Sequence, residues 1–292
     1  MSANADALSV VQKMYDRMFA LDWEGMKACL SDDFIIIHQG INHPDLPFYN
    51  TFYGQDGCFE WINHIFETVN LHQFDFTYFV AEGNIVHTHV REGGTVKKSG
   101  AALCIENFHY FKLNENQKIC FCEIISETFP VVRALYGKPG ESYKTNYEAE
   151  DISVSHYLFT NEYNKKVAKA SLDFIKRGQT EQLSDVLSGD TIFIVNGDES
   201  CVPYAGKFTG KDSVVRFVQL FQPEIKDIEI SYIIAENNKA DVIFKLDGQS
   251  TRTGKNFMHD ASLSLQFSEN GKIKYLFLQM NSYEIHRAYS RE

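Results

Sequence analysis

The sequence predicts an α+β fold built twice in tandem. Three observations carry this reading. The chain has 292 residues, enough for two domains at ~100–200 residues each. Its second half repeats landmarks of the first at a nearly constant offset. In each half, helical periodicity comes first and alternating, β-branched and aromatic runs come after, which is the order of an α+β domain with its helices on one face of the sheet.

Hydrophobic residues make up 44% and charged residues 23% of the chain, ordinary globular values that exclude disorder and fibrous repeats. Twenty-eight basic against thirty-nine acidic residues give a formal charge of -11. Such a chain repels a polyphosphate backbone, so no nucleic acid and no anionic membrane is expected as a partner.

The repeat is read directly from aligned segments. Leu30-Ser31-Asp32-Asp33-Phe34-Ile35-Ile36-Ile37-His38-Gln39-Gly40 aligns with Leu187-Ser188-Gly189-Asp190-Thr191-Ile192-Phe193-Ile194-Val195-Asn196-Gly197. Tyr53-Gly54-Gln55-Asp56 meets Thr209-Gly210-Lys211-Asp212, and Ala81-Glu82-Gly83-Asn84 meets Ala235-Glu236-Asn237-Asn238. Ser99-Gly100 meets Thr253-Gly254, and Asn114 to Ile119 meets Ser268 to Ile273. The offset drifts only from 157 to 154, so the insertions are loop-sized. The domains are therefore expected at 1–130 and 157–292, with 131–156 as a connector. That connector contains Gly137-Lys138-Pro139-Gly140 and an acidic patch through Glu148, Glu150 and Asp151.

Each copy opens with a helix, whose inward face is Leu8, Val11, Tyr15, Met18 and Phe19 in the first and Val167, Ala170 and Phe174 in the second. A short strand follows. A second helix is expected to be capped by Asp56, with Phe59, Ile62 and Phe66 inward, and by Asp212, with Val215, Val218 and Phe221 inward. Pro223 should stop the latter. Strands are then expected over 74–80, 85–92, 101–113 and 118–128, and over 228–235, 240–247, 256–267 and 272–283.

No apolar stretch approaches the ~18 residues of a membrane span. The polar start Met1-Ser2-Ala3-Asn4-Ala5-Asp6 does not read as a secretory signal, so a cytoplasmic location is expected. Cys29, Cys58, Cys104, Cys120, Cys122 and Cys201 form no C-x-x-C pair and read as free thiols. No Gly-x-Gly-x-x-Gly, Walker loop or Gly-x-Ser-x-Gly elbow is present, so nucleotide and serine-hydrolase chemistry have no support. In His87-Thr88-His89 both imidazoles share one strand face, a spacing that could ligate a metal given a third ligand. Val86, Thr88 and Val90 suit the core better, which sends the histidines toward solvent or a sheet interface, and no metal site is expected. Glu106 and Asp260 are acidic in both copies, which suggests a shared structural role.

Helix, strand, Gly-x-Asp helix, and long strands ending in a turn plus Lys-Ile resemble the layout of the NTF2-like superfamily, in its SnoaL-like and ketosteroid-isomerase-like branches. The most specific piece is Ser99-Gly100, then His109-Tyr110-Phe111-Lys112-Leu113 and the turn into Lys118-Ile119. The resemblance extends over nearly all of the chain. It implies two cone-shaped (cystatin-like) α+β barrels, each with helices packed on a curved antiparallel sheet around a pocket for a small hydrophobic or polyketide-like molecule. The family includes isomerases, polyketide cyclases, dehydratases and epoxide hydrolases, and also non-catalytic binding and assembly modules; for this chain no cofactor is expected. Its members commonly dimerise through the sheet, which for a tandem chain implies an intrachain pseudo-dimer or a homodimer.

The resemblance places His38 at the general-base position of ketosteroid-isomerase-like enzymes, His109 at a polar pocket position, and Glu127 at the acidic residue closing the family motif. Their counterparts in the second copy are Val195, Leu263 and Asn281. Seven of the ten histidines lie in the first copy: His38, His43, His64, His72, His87, His89 and His109. If the three residues converge, one histidine could abstract a proton, the other donate to a developing oxyanion, and Glu127 orient an imidazole. Tyr15, Met18, Tyr53 and Trp61 are the candidate pocket-lining residues. Met14 rather than Tyr15 falls at the family's helix-one tyrosine, a rotation of ~100°, which argues against steroid isomerisation and for a histidine-based isomerisation, cyclisation or dehydration. The alternative function is a non-catalytic ligand-binding or assembly module. The loop 42–47 is a candidate cover for the pocket mouth.

Overall fold

The computed structural model describes residues 3–138, 140–141, 157–197 and 199–290. They fall into two compact units: one holds the described residues to 126 and over 130–141, and the other holds 127–129 and the described residues from 157 onward.

In the first unit, α1 (Ala3–Phe19) and α2 (Trp23–Lys27) lead into β1 (Leu30–Gln39), β2 (Thr51–Tyr53) and α3 (Gly54–Thr68). The long strands β3 (Val69–Glu82), β4 (Ile85–Val96), β5 (Ala102–Leu113) and β6 (Ile119–Ser126) follow. The sheet order is β2-β1-β6-β5-β4-β3, antiparallel except where β1 lies parallel to β6. Thus the first strand in sequence closes the meander from its far side. After α4 (Thr128–Leu135), the short β7 (Gly140–Glu141) pairs with β5 at Leu103 and Cys104. The stretch read as a connector therefore supplies part of α4 and all of β7, while Glu148, Glu150 and Asp151 lie outside the described residues.

The second unit repeats the pattern with α5 (Asn161–Arg177), α6 (Thr180–Val186), β8 (Leu187–Val195), β9 (Gly206–Thr209) and α7 (Lys211–Phe221). Next come a 3-10 turn over Gln222–Glu224, β10 (Ile225–Glu236), β11 (Lys239–Gln249), β12 (Asn256–Phe267), β13 (Ile273–Met280) and α8 (Ser282–Tyr289). Its order, β10-β11-β12-β13-β8-β9, is that of the main path of the first sheet, with a parallel pair between β13 and β8 matching that of β6 and β1.

Local chemistry accounts for the departures from expectation. Asp56 and Asp212 sit in the first turns of α3 and α7 rather than capping them, because β2 runs straight into α3 and only Gly210 separates β9 from α7. The inward faces rotate accordingly. Cys58 and Ile62 are buried in α3, Phe66 is partly exposed, and α7 buries Val214, Phe217, Val218 and Phe221. Pro223 stands in the turn that ends α7. The last strands stop at Ser126 and Met280, short of 128 and 283. Asn281 caps α8 by accepting the Glu284 N–H, and a residue committed to a cap cannot extend a strand.

The first sheet curves where β3 carries extra residues between Leu71 and Gln73 and between Phe76 and Tyr78. Opposite the first of these lie Gly93 and Gly94. A Cβ on Gly94 would stand 2.7 Å from the Asn70 carbonyl oxygen, so only glycine lets the strands approach this closely. The apolar stripe of α1 (Val11, Met14 and Tyr15) and the buried face of α3 fill the concave side against β1, β5 and β6.

Candidate active site in the first unit

Between the helices and the concave face is a cavity of about 60 Å³. This is smaller than the ~150 Å³ that admits benzene, so it holds a few non-hydrogen atoms. Met14, Met18, Phe34, Phe74 and Phe111 supply apolar wall, and Cys58 and Cys122 add two buried thiols. Burial pushes the Cys58 thiol up to about 12 and raises Cys122 well above its ordinary value. The remaining polar groups on the wall are Tyr15, His38, Trp61, Glu92 and His109.

His38 is held from both sides. The Trp61 indole N–H donates to Nδ1 at 3.1 Å, and an indole can only donate. Nδ1 is therefore the acceptor, the ring proton sits on Nε2, and Nε2–H donates to Ser126 Oγ at 2.6 Å. Burial, then the positive charge of a protonated His109, hold the His38 imidazole well below its ordinary pKa. The rings of Phe48 and Tyr49 close over it, with centroids 5.4 and 4.7 Å away. Tyr49 approaches so closely that a Cβ on Gly40 would overlap it, at 2.1 Å from Cδ1. Thus the segment just beyond loop 42–47 covers His38.

His109 is wired differently. Tyr15 Oη lies 2.5 Å from Nδ1. Burial, then the charges of Cys122 and Glu92, raise the Tyr15 pKa well above its ordinary value, so it remains a phenol and donates. The His109 ring proton then belongs on Nε2, which is buried without a hydrogen-bond partner and lies 3.5 Å from Glu92 Oε1. A donor and a carboxylate thus face one small space.

The cavity brings His38 and His109 together, and Tyr15, Met18 and Trp61 line it with them. Met14 and Tyr15 both reach it, so the one-residue shift on α1 does not turn the phenol away. Glu127 is not among the lining residues: β6 ends at Ser126, whose Oγ accepts the hydrogen bond from His38 Nε2–H, and buried Glu127 groups with the second unit. Tyr53 is 70% exposed, because strand alternation buries Phe52 and turns its neighbour outward. The carboxylate on the cavity wall is that of Glu92. Alternation along Val86, Thr88, Val90 and Glu92 places it on the inward face, a charge where that strand otherwise buries apolar groups.

On the other face of β4, His87 and His89 are buried rather than turned to solvent, and both stack on Phe108. His89 Nε2 meets Glu106 Oε2 at 2.8 Å, and Arg91 donates to the other oxygen at 2.8 Å. Among the described residues no cluster of three or more His, Cys, Asp or Glu side chains is arranged to hold a metal ion. In the second unit Val195 and Leu263 belong to a continuous core with Phe193, Phe217 and Phe221, whose rings stand 4.5 and 5.2 Å apart in sequence.

A SnoaL-like domain family matches residues 11–121. Solved structures similar to this chain include an NTF2-like protein from Burkholderia xenovorans LB400, 20% identical, covering 45% of this chain and 98% of that chain at a TM-score of 0.39. A candidate SnoaL-like polyketide cyclase from Jannaschia sp. CCS1 is 14% identical, covering 48% and 97% at a TM-score of 0.41. A hypothetical protein with a ketosteroid-isomerase-like fold from Catenulispora acidiphila DSM 44928, in complex with trimethylamine, is 14% identical, covering 45% and 94% at a TM-score of 0.37. None of the curated proteins matches the sequence. Residues 11–121 match the SnoaL-like domain family, and the second unit repeats the same order of helices and strands.

Proposed function

We propose that the first unit binds a small, largely apolar carbonyl compound in its cavity and moves a proton on it, with Glu92 as base and the His109 Nε2–H as donor to the oxygen. The observation that carries this is the buried, unpartnered Nε2 facing the Glu92 carboxylate across 3.5 Å. A carbonyl oxygen accepting from Nε2 leaves its α-carbon beside the carboxylate. Glu92 takes the C–H proton, the C–H electron pair becomes the enolate C=C, and the charge arriving on oxygen is met by the imidazole N–H. Returning the proton elsewhere is an isomerisation, and losing a β-hydroxyl is a dehydration. The step asks for no cofactor. Tyr15 fixes the His109 tautomer, as a carboxylate does in other acid–base sites.

His38 then holds the wall in place rather than acting as the base, since both its nitrogens are engaged by Trp61 and Ser126. The reading does not extend to the second unit, where aliphatic Val195 and Leu263 stand at the corresponding positions.

The test is deuterium incorporation into butan-2-one in D2O, followed by NMR with the full chain. Wild type should exchange the α-protons, and Glu92→Gln should slow exchange by about 100-fold or more with butan-2-one still bound. Equal exchange by wild type and Glu92→Gln would remove Glu92 as the base. Binding with no exchange by wild type would leave the non-catalytic binding module.

A further inference from the structure

Met18, Phe66, Leu71 and Phe74 line the cavity, and the same four side chains also line a second space, an open groove of about 370 Å³. Phe19 and Leu21 extend its apolar wall. Phe19, Leu21 and Phe66 are 49%, 63% and 38% exposed, so this apolar surface is left to water directly outside the candidate active site.

Leu21 is the telling residue. It follows α1 in the left-handed region, with φ 56. Its N–H donates to Met18 O, and the Asp22 N–H donates to Arg17 O. These two bonds form a Schellman motif with Leu21 at the position where glycine is usual, because a Cβ there crowds the backbone. The duplication supplies a control at the repeat's own offset. Gly178, 157 residues on, closes α5 at φ 66 with the same two bonds, Gly178 N–H to Ile175 O and Gln179 N–H to Phe174 O. The second unit thus uses the unstrained residue, while the first keeps a strained leucine whose side chain gains little from burial in the protein itself. A position that is both strained and exposed is accounted for if something else covers the side chain.

We propose that the groove holds an apolar tail of the same ligand whose carbonyl head occupies the cavity, and that Leu21 is a binding residue for that tail. This rests on the proposed function for the identity of the head. The four shared side chains place the groove directly against the cavity wall, so a ligand tail passing between them is the occupant, and the cavity's size supports it, since so small a chamber takes only a reacting end. The substrate class is an elongated carbonyl compound with an apolar chain.

The test is binding of an alkan-2-one series, butan-2-one to decan-2-one, to the full chain by calorimetry. In wild type, Kd should fall about fourfold for each methylene that enters the groove, which is ~0.8 kcal/mol per buried CH2. Leu21→Gly should raise thermal stability, leave the butan-2-one Kd unchanged, and flatten the gradient for the longer ketones. Leu21→Asn, which also tolerates the left-handed region, should do the same. An affinity that stops rising at butan-2-one, or a gradient untouched in both variants, overturns the proposal. Deuterium exchange of butan-2-one reads the cavity alone, so a failed tail and a failed acid–base site give different results.

Discussion

Two histidines on one cavity wall differ because their neighbours differ. The Trp61 indole stabilises the neutral His38 ring by donating to the lone pair that a proton would otherwise take. Trp61→Phe should therefore raise the His38 pKa by up to about one unit, equivalent to ~1.4 kcal/mol, and burial should still keep it below ordinary values. Titration of the imidazole resonances by NMR checks this, and an unchanged or lower pKa would mean the indole bond does not set the ring's state. His109 was legible in the sequence through its motif, and Trp61 through the helical stripe of α3. Glu92 was legible only through strand alternation, as a lone charge after Val86, Thr88 and Val90. The motif points to Glu127, which follows the end of β6 at Ser126 and does not line the cavity.

At the level of elements, the two helix ends at Leu21 and Gly178 share hydrogen bonds and backbone angles but differ in residue. A Cβ at Gly178 would meet nothing closer than 3.5 Å, so the cost of Gly178→Ala is conformational. It should be about 1 kcal/mol of destabilisation, read as a lower denaturant midpoint; no loss would mean the left-handed angle is not held there. The strands were largely visible, and 256–267 coincides with β12 residue for residue. Helices α4 and α8 were not seen, because the aligned strand runs continue through Glu127 and Asn281 without a proline or glycine to stop them. What stops the second run is the Asn281 side chain folding onto the Glu284 N–H, a competition between cap and ladder that apolar periodicity does not register.

For the whole molecule, buried neutral histidines set the acid response. Burial lowers His259 to about 4, and its Nδ1–H donates to the Asp260 carbonyl. The unfolded chain takes up this proton near pH 6.5 and the folded chain only near 4, so stability falls as pH drops through that window. The His259 contribution is up to about 3 kcal/mol by pH 4, and His38 adds in the same direction. Glu106 acts lower down: burial pushes its carboxyl up, but His89 and Arg91 outweigh this and leave it below the usual range. Its contribution is present above the ordinary carboxylate pKa of ~4.3 and is lost as pH falls through the folded value. Between pH 6.5 and 5 the loss should therefore belong to histidines, and His259→Asn should flatten the denaturant midpoint against pH there. An unaltered slope would remove His259 from the account.

Cys58 and Cys122 give the cavity a clock. Both thiols are closed off from water on the cavity wall, whereas Cys120, two residues from Cys122 along β6, is partly exposed. A water-borne alkylating reagent meets Cys120 in every molecule but meets the other two only in molecules whose wall has parted. The ratio of the labelling rates thus measures how often a ligand finds the chamber open, with no need to know the ligand.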